Sequence, residues 1–205
     1  MPWCAVPVQL KRDRRGVVAP GQWSIGERFP RFLPIALLLV LTGCNLIDRL
    51  PQLSPPWQTK PVARPTVKSA QSAATAGMES EVRQRINTIR QRQGLTALRY
   101  NDRLAQVARS YSRRMAEQNF FAHVSPQGDT LSDRVGAARI FYFTVGENLF
   151  TSTNIPQPTP AAVEGWMKSP GHRENILYPE FRETGVGVWK RGNTYYFTQL
   201  FMRSL

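Results

Sequence analysis

Between Asn45 and Met78 the chain carries Pro51, Pro55, Pro56, Pro61 and Pro65 and then a run of serine, alanine and threonine. Proline removes backbone donors and the small polar residues offer little apolar area, so such a stretch stays extended and solvated and buries no core. It divides the chain into an amino-terminal segment, a tether over residues 44–78 and a folding part over residues 79–205, with a helix beginning inside 69–77 as the alternative for the end of the tether. The hydrophobic fraction of 41% and aromatic fraction of 10% supply one core despite a net charge of +13, which argues against wholesale disorder.

Ahead of the tether, Phe32 to Leu41 reads FLPIALLLVL, preceded by Arg28 and Arg31. About twenty apolar residues are needed to cross a bilayer, so this run has the length of a signal-peptide core rather than of a membrane span. Leu41-Thr42-Gly43-Cys44 follows at once and resembles the bacterial lipoprotein signal, in which the cysteine is acylated and becomes the first mature residue. On that reading residues 1–43 are the signal peptide, Cys44 is the lipidation site, and the product is exported and membrane-anchored on the extracytoplasmic side of a bacterial cell envelope. The alternative is a chance cysteine after a cleaved secretory signal, or a short buried helix. Lys11, Arg12, Arg14 and Arg15 lie unusually far upstream of the apolar run, which suits a true start later than Met1.

Within the folding part the apolar period is first helical. Val82, Ile86 and Ile89 predict a helix over 79–93 that Gly94 closes. Asn101 caps a second, with Leu104, Val107, Ala108, Tyr111 and Met115 on one face to about Gln118. Thr130 opens a short third helix to Ala138, and Thr159-Pro160 opens a fourth that Pro170 and Gly171 stop. The period then changes: Thr184 to Lys190, the turn Arg191-Gly192-Asn193 and Thr194 to Met202 predict a β-hairpin, and Glu147 to Phe150 a third strand. The fold class expected is α+β, helices packed on a small antiparallel sheet.

The chain has two histidines and two cysteines, so a cysteine-rich zinc site and a disulfide framework are excluded. His123 and His172 each sit in a polar, turn-rich string, FFAHVSP and SPGHREN, off any apolar helical stripe. Glu147, in GENL, stands beside a flexible glycine and near an apolar residue, a setting in which an acid can be partly buried and its proton affinity raised. Two imidazoles and a carboxylate suffice for a metal site with open positions or for general acid–base catalysis, if the fold brings them together; otherwise they anchor loops. Ser125 lies near His123 in sequence, but a nucleophile needs its base in space. Trp166 reads as core, and Asn148, Asn175 and Gln199 as groups satisfying backbone or loops.

The strings FFAHVSPQG, GENLF, WMKSPGH, RENIL, GVGV and YYFTQLF, in this order, resemble the bacterial branch of the CAP superfamily, the cysteine-rich secretory, antigen five and pathogenesis-related-one proteins, also called SCP-like. The resemblance covers residues 79–205. It implies an α-β-α sandwich with helices flanking a central antiparallel sheet, and a cleft where two histidines and two acidic residues meet, of which His123, Glu147 and His172 match three. The fourth departs: in many relatives an acid stands three places after the tryptophan matching Trp166, and here that place is Ser169. Glu164 and Glu174 are neighbours without a family match. The resemblance also implies zinc or another divalent ion bridging His123 and His172.

Three functions are then open. The first is a lipid-anchored binding module that holds a small amphiphile, lipid or envelope ligand in the cleft of His123, Glu147 and His172, where the histidines can take a divalent ion. The second is a metal-assisted hydrolase in which His123 and His172 position metal-bound water and Glu147 accepts its proton. The third is a non-catalytic envelope interaction protein. Arg83, Arg85, Arg90, Arg92, Arg109, Arg113 and Arg114 read as a basic helical exterior that faces solvent or attracts anionic headgroups and envelope polymers. No specific nucleic-acid partner is expected of an exported chain.

Overall fold

The computed structural model describes residues 6–10 and 68–205. The apolar run 32–41, Cys44 and most of the tether lie outside the described residues. Five helices, α1 (Ala73–Arg92), α2 (Asp102–Gln118), α3 (Leu131–Ala137), α4 (Pro158–Lys168) and α5 (Pro170–Leu177), flank strands β1 (Val6–Leu10), β2 (Arg99–Tyr100), β3 (Tyr142–Thr153), β4 (Glu183–Arg191) and β5 (Thr194–Ser204). The sheet order is β1-β3-β5-β4-β2. Pairing is antiparallel for β1–β3, β3–β5 and β4–β5, while the two-residue β2 joins β4 in parallel. The α+β sandwich expected from sequence is the observed architecture, with that short parallel edge added. None of the described helices is long and apolar enough to cross a membrane.

Boundaries differ where local chemistry outran the apolar pattern. Helix α1 starts at Ala73 because Ser72 and Thr75 form a reciprocal capping box, which satisfies two orphan donors and lengthens the helix into the Ser/Ala/Thr run. Pro170 and Gly171 do not merely stop α4. With Ser169 as the residue between the two helices, Pro170 occupies the first position of α5, where its missing N–H costs nothing and its fixed φ favours a helix start. His172 consequently sits on a helix rather than in a turn. Strand β3 runs through twelve residues, far beyond Glu147 to Phe150, because it lies between two other strands and both its faces are covered.

The two faces of the sheet carry different layers. On one, Phe150, Val186, Val188, Phe197 and Phe201 pack with Val82, Ile86, Ala162, Val163, Trp166 and Ile176 from α1, α4 and α5. On the other, Val145, Leu200 and Met202 pack with Leu104, Val107, Leu131 and Val135 from α2 and α3, and Leu149 packs with Tyr111 and Met115. Helix α2 reaches the sheet because β4 presents glycine at alternate positions. A Cβ on Gly185 would lie 2.3 Å from the Ala105 nitrogen, and one on Gly187 2.1 Å from the Arg109 nitrogen. The GVGV string is thus two valines for one core and two bare backbone positions for the other.

Two arginines read as exterior are interior. Arg90 falls on the buried stripe Thr75, Glu79, Val82, Ile86 and Arg90 of α1, and its guanidinium donates to the carbonyls of Thr96 (2.9 Å), Ile176 (2.7 Å), Tyr178 (3.0 Å) and Phe181 (3.3 Å). Burial, helped by the charge of Arg182, holds its pKa below the usual arginine value. Arg109 makes a buried fork to Glu79, with Nη2 2.8 Å from Oε2 and Nε 3.0 Å from Oε1, and Glu79 also accepts the Val188 N–H at 3.2 Å. The fork geometry of arginine suits both tasks, planar donation to several acceptors at once. Arg114 is drawn into an ion pair with Asp129. Of the basic set, Arg85 and Arg92 remain exposed and Arg83 and Arg113 half-buried.

Candidate functional site

Strand β3 organises the site through its two faces. Glu147 lies between Val145 and Leu149, whose side chains belong to the α2–α3 layer, and it is fully buried at 0% exposure. Its carboxylate is held from two sides: Oε1 is 2.8 Å from His123 Nδ1, and Oε2 accepts from Arg134 Nη2 at 2.7 Å. Arg134 Nη1 also donates to the His123 carbonyl at 3.0 Å and to the Asp129 carbonyl at 3.2 Å. A single guanidinium thus neutralises the acid and fastens the loop that carries the histidine.

The remaining charges close the balance. Asp129 pairs with Arg114 at 2.5 Å and stands 3.9 Å from Arg134. Two carboxylates thus face two guanidiniums, and the buried charges compensate one another. Arg134 stacks 3.5 Å above the Tyr111 ring, and the Tyr111 hydroxyl donates to the Ala122 carbonyl at 2.6 Å. Burial pushes the phenol up to about 12. Ser125 donates to Asp129 Oδ1 and receives the Asp129 N–H, while the Gly128 N–H donates to the Ser125 carbonyl at 2.8 Å. The serine hydroxyl therefore closes the loop through an acid, and His123 is turned to Glu147, which gives Ser125 no basis as a nucleophile.

On the opposite face of β3, Gly146 and Asn148 meet α5. Asn148 Nδ2 donates to the His172 carbonyl at 3.1 Å, and Asn175 Nδ2 donates to the Glu147 carbonyl at 3.2 Å and to Asn148 Oδ1 at 2.9 Å. A Cβ on Gly146 would come within 3.0 Å of Asn175 Oδ1 and of the Phe181 ring, so glycine there admits the asparagine. Trp166 is fully buried and donates Nε1–H to the Leu149 carbonyl at 2.9 Å. These residues behave as read from sequence, as core and as partners for backbone groups. Gln199, also fully buried, donates to the Thr184 hydroxyl at 3.3 Å.

Of the predicted triad, His123 and Glu147 are in direct contact. His172 is joined to the same strand through its backbone, one residue along at Asn148, and is itself buried at 1% exposure. The sequence pattern does not mark Arg134 or Asp129 as site residues, and it reads Tyr111 as core and Arg114 as exterior. One signal for Arg134 was present: it lies at i+3 from Leu131 and next to Val135, on the inner side of a short amphipathic helix, where a charge needs a buried partner.

A resident divalent ion needs several unengaged ligands converging on one point. Among the described residues no group of three or more His, Cys, Asp or Glu side chains is placed to hold one. Both oxygens of Glu147 are engaged, one by a guanidinium, which repels a cation and removes the carboxylate as a ligand. Two imidazoles alone fall short of the three protein ligands that a resident zinc requires. The residues present therefore do not supply the ligand set of a resident zinc, and Glu147 is bonded to His123 and Arg134 instead of standing open to an ion.

A hollow of about 420 Å³ opens between α4 and α5, lined by Met167, Lys168, Pro170, Arg173, Glu174 and Leu177. Pro170 and Arg173 bracket His172 in the sequence. Glu174 faces this hollow and Glu164 is exposed. Neither is hydrogen-bonded to the His123–Glu147 pair, whose carboxylate partners are His123 and Arg134.

Residues 83–201 match the family described as CAP, the cysteine-rich secretory protein family. The chain is 37% identical over 137 residues to the uncharacterized protein YkwD of Bacillus subtilis, covering 67% of this chain and 51% of that protein. It is 36% identical over 125 residues to the uncharacterized membrane protein YlbC of the same organism, covering 61% of this chain and 34% of that one. The chain therefore spans about half or less of the length of these relatives. Among solved structures, an extracellular protein containing an SCP domain from Bacillus anthracis aligns at 33% identity with a TM-score of 0.58, over 63% of this chain and 41% of that one. An outer surface protein from Borrelia burgdorferi shares the fold at 22% identity and a TM-score of 0.56, over 64% of this chain and 96% of that one.

Proposed function

Because the chain belongs to the CAP, or cysteine-rich secretory protein, family, we propose that it is a cell-envelope binding module, exported and held at the membrane by acylated Cys44, that takes a small anionic amphiphile between α4 and α5. The single observation that carries the reading is the hollow of about 420 Å³ in which Met167 and Leu177 offer apolar surface and two cations, Lys168 and Arg173, outnumber one acid, Glu174. That volume suits a small ligand, and the mix of apolar wall and few charges suits one with an apolar body and a charged end. The motif residues support it indirectly. Asn148 and Asn175 pin the start of α5 to β3, and so hold one wall of the hollow in place. Export is in keeping with relatives described as extracellular, outer-surface or membrane proteins.

The test is titration of the full chain with a fluorescent medium-chain carboxylate. Saturable binding should weaken about tenfold or more in the double charge reversal Lys168→Glu with Arg173→Glu, since each lost contact to a charged group is worth about 1.5–3 kcal/mol. Affinity unchanged by that pair of substitutions sinks the reading. Cys44 acylation is checked separately, by the mass of the protein extracted from cells and by its resistance to thiol alkylation.

One observation favours a second, hydrolytic reading: His123 Nδ1 is held 2.8 Å from Glu147 Oε1, an arrangement in which a carboxylate orients an imidazole for acid–base work. Turnover of peptidoglycan or casein that disappears in His123→Ala and is reduced in Glu147→Gln would support it; activity indifferent to both belongs to another protein or site.

A further inference from the structure

At the start of β3 two large rings stand in solvent, Phe141 at 72% and Phe143 at 54% exposure. Their neighbours explain why. Ile140 is buried and Tyr142 half-buried against the α2–α3 core, the Tyr142 hydroxyl bonded to Ser132 at 3.1 Å. Tyr142 pairs with Ser204 and Thr144 with Arg203, so the register slips by one residue at Phe143. A bulge of this kind re-aims a side chain, and here it leaves both rings outward on a rigid strand.

Three arginines belong to this end of the sheet. Arg203 lies 5.9 Å from the Phe143 ring centroid and is paired with Glu180. Arg103, exposed, donates to the carbonyls of Ala138 (2.7 Å) and Arg139 (3.1 Å). Arg139, also exposed, adopts a left-handed φ of 54°, a conformation unfavourable for a side chain of its size and seen where surroundings impose it. Arg203 thus stands against Phe143, while Arg103 is bonded to the segment that leads into Phe141 and Arg139 belongs to it, and among the described residues Glu180 is the acid paired with Arg203.

We propose that this end of the sheet, Phe141 and Phe143 with Arg103, Arg139 and Arg203, docks on the anionic headgroup layer of a lipid bilayer. Aromatic rings insert at the headgroup boundary while guanidiniums take phosphates, and each basic group near an anionic leaflet contributes about 1 kcal/mol. A second copy of the chain is the poorer occupant, because a self-complementary contact would bring the arginines of both copies together. The inference deepens the envelope reading by naming the face that meets the membrane, and it requires neither the amphiphile hollow nor the anchor.

The experiment uses the full chain with Cys4→Ser and Cys44→Ser, so that no acyl group contributes, and an environment-sensitive fluorophore on Phe141→Cys or, as control, on Gln118→Cys. Gln118 ends α2 about four turns from Arg103. With vesicles of phosphatidylglycerol and phosphatidylcholine in equal parts, the probe at 141 shifts to the blue and the probe at 118 does not; equal shifts, or none, overturn the proposal. Vesicle co-sedimentation of Phe141→Ser with Phe143→Ser should fall about tenfold relative to the parent, as expected from losing two partly buried rings, with an unchanged melting temperature because both positions are exposed. Unchanged co-sedimentation overturns it. So does a lipid-free dimer in sedimentation velocity that Phe141→Ser dissolves, which would assign the face to a contact between copies. Acylation of Cys44, read by mass in the native sequence, stands or falls independently.

Discussion

His123 Nδ1 and Glu147 Oε1 lie 2.8 Å apart, although 24 residues separate them in the chain and one sits in a loop and the other in the middle of a strand. The contact exists because Arg134 takes the other carboxylate oxygen and the His123 carbonyl together. Glu147 is a partner that fixes the orientation of the ring, and Arg134 keeps a fully buried charge from standing alone.

Removal of Arg134 should therefore be costly out of proportion to the bonds drawn. Arg134→Ala leaves Glu147 buried without its counter-ion, which typically costs about 3–5 kcal/mol. Arg134→Met combined with Glu147→Gln should recover part of that loss because the uncompensated charge is gone. Urea denaturation of the two variants measures it, and equal destabilisation would mean that packing rather than charge governs the site.

Gly187→Ala should destabilise strongly. The added methyl would sit 2.1 Å from the Arg109 nitrogen, against helix backbone with no flexible end to yield, and α2 would have to lift from β4. Overpacking costs about 1–3 kcal/mol in general, and this contact belongs at or above the upper end. Thermal unfolding of Gly187→Ala beside Gly192→Ala, a turn position with a φ of 57° where an added Cβ would meet open space, separates crowding from backbone strain.

Arg90→Lys should behave as a loss rather than a conservative change. An ammonium on a flexible stem does not reproduce planar donation to the carbonyls of Thr96, Ile176, Tyr178 and Phe181, and each carbonyl left dry costs about 1–3 kcal/mol. Chemical denaturation should place Arg90→Lys and Arg90→Met both well below the parent; a lysine variant of parental stability would refute the role.

Tyr111 sets a limit at high pH. Its phenol is pushed up to about 12 by burial, from an ordinary value of 10.0, so folding favours the protonated form. That stability is intact below pH 10.0 and is lost as pH rises towards 12. Stability measured across this window should fall less steeply in Tyr111→Phe, which has no proton to lose. Parallel curves would show that the hydroxyl does not titrate with unfolding.

Zinc should bind weakly at most. With Glu147 committed to His123 and Arg134, no third strong ligand accompanies the two imidazoles. Calorimetry of the full chain should detect no tight stoichiometric site, and one that vanishes in His123→Ala with His172→Ala would overturn this assignment of Glu147.

Local pattern was sufficient for much of this molecule. The 3.6-residue stripe from Leu104 to Met115, the Asn101 and Thr130 caps and the turn at Gly192 each act over a few residues, so the sequence by itself determined the main helices, the final hairpin and, through the ordered motifs, the family. The same local logic explains the failures. Arginine reads as surface because an isolated charge is costly inside, yet Arg90, Arg109 and Arg134 are buried, since acceptors distant in the chain are carried to them. Periodicity also gave no reason to divide the chain at Ser169 into two helices, or to extend β3 beyond its motif. Only the tertiary structure decided that Glu147 would meet His123 and Arg134, that His172 would be a helical residue tied to Asn148 by its backbone, and that Phe141 and Phe143 would face water. Those outcomes depend on which elements pack on which face of β3, a long-range choice set by the sum of all contacts and by no short run of residues.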